Sequence, residues 1–299
     1  MKIAVTGAFS YSGKYITERL LARGEEVINL TGHPDRPDPF GGRVKVYPLD
    51  FNEDSMTRSL QGVDVLVNTY WVRFDKGDNT QPRAVENTRV LVNAAKAAGV
   101  KRIVHISIAN PSADSHLPYY WGKAANEKSV IDSGLSYAIL RPTVLIGHED
   151  ILINNIAFLL RRLPFFLIPG DGSYGIQPVH VEDLADLAVE GVYYKENSVT
   201  DAAGPDAFTF KEIVGLIGEK IGAKRPLISV APRLALLAAQ FLSLFVSDVM
   251  LTPEEVDGLM QGLLVSKEPA RGKTRFADWL EAEKDTLGTR YASELKRHY

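Results

Sequence analysis

The chain of 299 residues contains no cysteine. Disulfides, thiolate metal ligands and thiol catalysis are therefore excluded, and a reducing, cytoplasmic setting is expected. No sign of charge dominates: 34 Lys and Arg stand against 37 Asp and Glu, a net charge of −3. Such a balance gives no electrostatic footprint for nucleic acid. Long hydrophobic runs are lacking too. The best membrane candidate, residues 234–247 (LALLAAQFLSLFVS), falls short of the roughly 20 apolar residues that span a bilayer and reads as a buried or partner-facing helix. Repeats and low-complexity segments are absent. What remains is an ordinary globular composition, 45% hydrophobic and 24% charged, enough to bury a core in one large or two closely joined domains.

The chain is organised around residues 2–14, KIAVTGAFSYSGK. Ile3, Ala4 and Val5 form a short apolar strand of the kind found at the centre of a parallel sheet. Gly7 permits a tight turn, Gly13 allows close packing of helix on strand, and the N–H groups of the new helix at Phe9, Ser10, Tyr11 and Ser12 face a space suited to a pyrophosphate. Ser10 stands where the middle glycine of such a turn is usual; its side chain crowds a phosphate, although its hydroxyl could donate to one. With this strand beginning at Lys2, no signal or transit peptide is expected ahead of it.

Further strands are expected at 26–30, 44–48, 63–67, 101–106 and 137–140, with helices at 15–22, 55–60 and 84–98, and residues 177–181 are expected to return the chain to the sheet. The tip of the second strand reads Thr31-Gly32-His33-Pro34-Asp35-Arg36. Hydroxyl, imidazole and guanidinium come before or beside any useful acid, which favours a 2′-phosphate and hence NADP over NAD. Asp50, followed by Phe51, is either an acceptor for the adenine amino group or the cap of the next helix. Asn68 and Thr69 end the fourth strand and border the cofactor, with Tyr70 and Trp71 at the substrate mouth. Residues 72–82 form a lid or a surface loop.

The most specific chemistry lies on the helix that begins at Pro118. Tyr119 and Lys123 are four residues apart and project from one face. An ammonium beside the phenol favours the phenolate, which equips the pair to move a proton while hydride moves. Residues 151–162, 184–192 and 210–221 read as further helices, with Asp183 capping the second. The Arg161-Arg162 pair is either an anion site or a solvated helix end. His180 is expected to pack rather than to react. Thr252 is a helix cap, and the tail 281–299 is charged.

Taken together, the glycine turn, Asp50, Glu86-Asn87-Thr88 leading to VLVNAAKAAGVKRIVHIS, Tyr119-x-x-x-Lys123, Leu140-Arg141-Pro142-Thr143 with Gly147, and Val179-His180-Val181-Glu182-Asp183 resemble the short-chain dehydrogenase/reductase superfamily. The likeness is to its extended or atypical branch of epimerase/dehydratase-like and NmrA-like proteins, including those related to the nucleotide-binding accessory subunit of respiratory complex I. It covers residues 1–205 well and the rest loosely. The resemblance implies an α/β, Rossmann-type doubly wound parallel sheet (1–149 and 176–205) and a smaller, mainly helical substrate-side region (150–175 and 206–299). It further implies that Tyr119 is the catalytic acid–base, that Lys123 also holds the nicotinamide ribose, and that Pro142 and Thr143 border the nicotinamide. The family's catalytic Ser or Thr position falls on Ile108, so either Ser107 or Asn110 turns into the site or the third group is missing.

These implications give two expectations for function. One is an NADP-dependent oxidoreductase or epimerase/dehydratase-like enzyme acting on a small organic carbonyl or alcohol, lipid-like or aromatic rather than a sugar, with NAD possible. The other is a non-catalytic NADPH-binding redox sensor or complex-stabilising subunit. No metal is expected, and a homodimer or a peripheral membrane contact is possible through an exposed apolar helix face.

Overall fold

In a computed structural model, residues 1–246 and 248–295 are described, without the side chains of Leu244 and Phe245. The chain divides into two compact units, residues 1–142 with 181–202 and residues 143–180 with 203–299. The first is built on seven strands, all parallel. Strand β1 (Lys2–Thr6) lies between β2 (Glu26–Thr31) and β4 (Val65–Asn68), β3 (Lys45–Pro48) lies outside β2, and β5 (Arg102–Ile106) and β6 (Ser136–Pro142) follow β4. Ser198–Ala202 completes the edge beside β6. Strands β1, β4 and β5 are buried along almost their whole length because helices cover both faces. Helix α1 (Tyr11–Ala22) meets the helix Val181–Tyr193 on one side, where Arg19 pairs with Glu182 at 3.4 Å and with Asp186. Helices α2 (Glu53–Ser59), α3 (Gln81–Ala97) and α4 (Pro118–Asp132) cover the other, burying Met56, Leu60, Leu91, Ala95 and Val130 against Ala4, Ile28, Leu66 and Ile103. The chain reverses its direction across the sheet between β1 and β4, and ligands of open parallel sheets bind outside the carboxyl ends of strands at such a point.

Several expected boundaries move. Residues 177–181 do not return to the large sheet: Pro178–His180 pairs with Val144–Ile146 in a two-stranded ribbon of the second unit. The returning strand is Ser198–Ala202, whose polar Ser, Thr and Asp hid it from an apolar pattern. Helix α3 starts at Gln81, earlier than expected, because the Thr80 side chain accepts from the Arg83 N–H and Pro82 occupies a first-turn position that needs no donor. The cap of α2 is Asn52, which accepts from the Ser55 N–H at 3.0 Å, while Asp50 accepts from the Asn52 N–H. Asp183 is not a cap; it lies within the first turn of Val181–Tyr193 with Glu182, where a carboxylate suits the positive end of the helix.

Among its described residues the second unit combines three two-stranded ribbons with helices. Its core packs Ile153, Ile156 and Leu160 from Leu152–Arg162, Ile213 and Ile217 from Phe210–Lys220, and Phe276, Trp279 and Leu280 from Phe276–Glu283. Arg161 and Arg162 are not simply a solvated helix end. Their guanidiniums donate to the carbonyls of Lys284, Leu287, Gly288 and Thr289, fastening the turn that follows Phe276–Glu283. His180 packs 6.4 Å from the Trp279 ring. Thr252 caps its helix in a reciprocal box with Glu255. On the helix Pro232–Val246, Leu234, Leu237 and Phe241 are more than half exposed. Ser247 of the apolar run and residues 296–299 of the charged tail lie outside the described residues. No helix among the described residues is long and apolar enough to cross a membrane.

Candidate dinucleotide and active site

The turn after β1 is built so tightly that it specifies its glycines. Gly7 has φ +64°, and a Cβ on Gly13 would collide with the Gly7 carbonyl. The Ala8 N–H donates to Asn29 Oδ1 at 2.9 Å, tying the turn to β2. Ser10 precedes α1 in extended conformation, and its hydroxyl donates inward to the Gly7 carbonyl. It therefore braces the turn, and the first-turn N–H groups of α1, which have no intrahelical acceptors, supply the anion-binding capacity. Phe9 lies 6.0 Å from the Phe40 ring. The close backbone approach of Gly7 and Gly13 fits a dinucleotide.

At the tip of β2, Thr31 is buried and its hydroxyl accepts from the His33 N–H at 2.9 Å. His33 is exposed and Arg36 half-buried. The acid that follows, Asp38, is occupied by the N–H groups of Phe40 and Gly42 at 2.7 and 2.6 Å. Asp50 is exposed at the end of β3. Phe51, at φ +53°, packs tilted against the Tyr70 ring with 4.7 Å between centroids, and Tyr70 receives a hydrogen bond from Asn87 at 3.0 Å; burial pushes its phenol pKa up.

Asn68 is wholly buried, and it organises the strand ends. Its Oδ1 accepts from Thr6 Oγ1 at 3.2 Å and from the Tyr70 N–H at 3.1 Å, so its Nδ2 is left to face His105 Nδ1 at 3.1 Å. That contact assigns His105 as the neutral tautomer protonated on Nε2. Burial, reinforced by the charge of Lys123, drives the His105 pKa down to about 3. Thr69 is held to Thr6 through its N–H at 2.7 Å and its hydroxyl at 2.6 Å.

Helix α4 brings the candidate pair to the end of β5. Tyr119 is half-buried, and Lys123 is 3% exposed with its Nζ donating to the Ile106 carbonyl at 3.0 Å. Desolvation pushes the Lys123 pKa down to about 7, against the opposing pull of Glu127. Ser107 is buried, its N–H donates to the Leu140 carbonyl, and its hydroxyl has no partner among the described residues. Asn110 is half-buried with φ +54°. Pro142 ends β6. Thr143 is buried in the second unit, and its hydroxyl likewise has no partner among the described residues.

Two features escaped the sequence reading. His105 gave no signal, since a histidine inside an apolar strand has no spacing to mark it. Trp71 does more than edge a mouth: its ring centroid lies 4.9 Å from Lys123 Nζ and 5.5 Å from the Tyr119 ring. Among the described residues no cluster of His, Asp and Glu could hold a metal.

Residues 7–157, just over half of the chain, match the family described as NAD(P)H-binding. The chain is similar to subunit 9 of the NADH dehydrogenase [ubiquinone] 1 alpha subcomplex of Arabidopsis thaliana mitochondria, 26% identical over 231 residues that cover 73% of this chain and 57% of that one. The match thus spans little more than half of that relative. Among solved structures, NADPH-dependent quinone oxidoreductase QOR2 of Escherichia coli, complexed with NADPH, superposes with a TM-score of 0.77 at 21% identity over 94% of this chain and 99% of that one. UDP-N-acetylglucosamine 4-epimerase of Bacillus cereus gives 0.67 at 20% identity, over 94% of each chain. These likenesses show the fold. With its seven-stranded parallel sheet and its glycine turn, the chain belongs to the NAD(P)H-binding family.

Proposed function

We propose that this protein is an NADP-dependent oxidoreductase, or a related epimerase or dehydratase, that acts on a small organic carbonyl or alcohol. Tyr119 is its general acid–base, Lys123 its electrostatic partner and Ser107 the third group. The observation that carries this reading is that one indole, that of Trp71, touches both Tyr119 and Lys123 at the end of β5. A phenol with a free pKa of about 10 needs such a neighbour to serve as an acid–base near neutrality. Ser107, buried with an unpartnered hydroxyl, has a donor to offer a carbonyl oxygen. When bound, the nicotinamide supplies or accepts hydride. Tyr119 then delivers its proton to the substrate oxygen, and the Lys123 ammonium stabilises the phenolate left behind.

Preference for NADP rests on the β2 tip. Thr31, His33 and Arg36 present a hydroxyl, an imidazole and a cation, while the Asp38 carboxylate is consumed within its own turn. The same reading puts Phe9, Tyr11, Ser12, Asp50, Phe51, Asn68, Thr69, Tyr70, Pro142 and Thr143 around the dinucleotide, and the protein in the cytoplasm.

A second reading, a non-catalytic NADPH-binding subunit or redox sensor, draws support from the similarity to a subunit of a respiratory complex. Replacing Tyr119 by Phe separates the two. The enzyme reading expects NADPH binding to persist while reduction of a carbonyl and quinone panel falls by roughly 10²- to 10⁴-fold. Unchanged turnover in the variant, or none in the parent protein, defeats it.

A further inference from the structure

Between Tyr119 and Lys123 the helix carries Gly122, although glycine is among the poorest helix formers. The reason lies on another element. A Cβ at Gly122 would stand 2.5 Å from Cη2 of Trp71 and 3.3 Å from its Cζ2, so the six-membered ring of the indole fills the space a side chain would take. From this seat the indole meets Tyr119 edge to face, 5.5 Å between centroids and 81° between planes, and lies 4.9 Å from Lys123 Nζ. The edge-to-face approach is the favoured one for two aromatic rings, and the face of an indole attracts a cation. Lys123 is thus bracketed by the Ile106 carbonyl and the indole. The titratable groups around it are the neutral imidazole of His105 from β5 and, from its own helix, the carboxylate of Glu127 and the phenol of Tyr119 one turn earlier.

We propose that Trp71 is a positioning residue for Tyr119 and Lys123: seated on Gly122, its ring fixes the phenol and holds the lysine as an ammonium. The inference deepens the acid–base reading of this pair and rests on it. Burial alone disfavours the charged lysine, and the indole acts in the opposite direction without adding a competing proton acceptor. Glycine at 122 is then a requirement of the pair, because any side chain there displaces the ring that touches both partners.

The test follows the titration of Lys123 by NMR in protein carrying ¹³C-labelled lysine, with neither cofactor nor substrate present. Trp71→Leu is expected to lower the Lys123 midpoint by about one pH unit, the size of a partly desolvated cation–π contact. Trp71→Phe, which keeps an aromatic face, restores most of the shift. Gly122→Ala, which leaves all three side chains chemically intact, reproduces the leucine variant. A midpoint that is unchanged or raised in the leucine variant overturns the proposal. A measurement that needs no folded variant is the ring resonances of Trp71 in the native protein. They are expected to shift with the same midpoint as Lys123, and their failure to do so overturns it equally. These readouts do not depend on turnover, so a Tyr119→Phe result that defeats the enzyme reading leaves them separately decidable.

Discussion

Glu127 and Arg141 form a two-point ion pair, with Arg141 Nε 2.9 Å from Oε1 and Nη2 2.6 Å from Oε2. It joins α4, four residues beyond Lys123, to the end of β6. The Glu127 side chain is 6% exposed and that of Arg141 31%, so the pair is shielded at one end and reached by water at the other. Removing one member of a fully buried pair costs 3–5 kcal/mol, and partial exposure reduces this to about 2–3 kcal/mol. Glu127→Gln is expected to lose that much in urea unfolding. It should also lower the Lys123 midpoint further, since the Glu127 charge opposes desolvation there.

His105 predicts acid sensitivity. Its folded pKa, about 3, lies below the unfolded value near 6.5. Between these values the unfolded chain binds the extra proton, so this contribution to stability is complete above pH 6.5 and is lost as pH falls towards 3. The loss amounts to at most about 5 kcal/mol. Urea unfolding at pH 7 and pH 4 should show it in the parent protein, and His105→Gln should flatten the difference. Equal pH dependence in both proteins contradicts the assignment.

Much of this architecture was legible because its cues are local. The apolar strands β1 to β6, the glycine turn and the start of α4 at Pro118 each depend on a few consecutive residues. Failures came where a local cue misled or where none existed. Val179 gave a strand signal that was real, yet its partner was Val144–Ile146 and not the main sheet, and Val181 already begins a helix. Asp50 looked like a helix cap because any Asp before a helix does, and geometry gave the cap to Asn52. The arginine pair 161–162 carried no hint of carbonyls more than a hundred residues away. Likewise nothing in sequence connects Trp71 to Gly122, apart from the oddity of a glycine within a helix.

Two glycine substitutions have opposite expected signs. Gly13→Ala drives a Cβ into the Gly7 carbonyl, and it should weaken NADPH binding at least tenfold in a fluorescence titration while lowering the melting temperature. Gly215 lies inside the helix Phe210–Lys220, and a Cβ there meets nothing within 4 Å. Gly215→Ala should therefore stabilise the protein by about 0.5–1 kcal/mol in the same urea assay.

Cofactor preference has its own comparison. Titration at equal salt is expected to show tighter binding of NADPH than of NADH, and Arg36→Ala should weaken NADPH about tenfold while leaving NADH nearly unchanged. Tighter NADH binding by the parent protein overturns the reading of the Thr31 to Arg36 tip.

The proposed role of Tyr119 is that it would protonate the oxygen of a carbonyl substrate to which NADPH, when bound, would supply hydride. Incubating the protein with NADPH deuterated at the transferring ring position, together with a panel of quinones and aldehydes, and analysing the products by mass spectrometry tests it most directly. The account predicts deuterium in a reduced product formed by the parent protein and its loss in Tyr119→Phe, with NADPH still bound by both. Absence of deuterated product from the NADPH-bound parent protein, or equal transfer by the Tyr119→Phe variant, would contradict it.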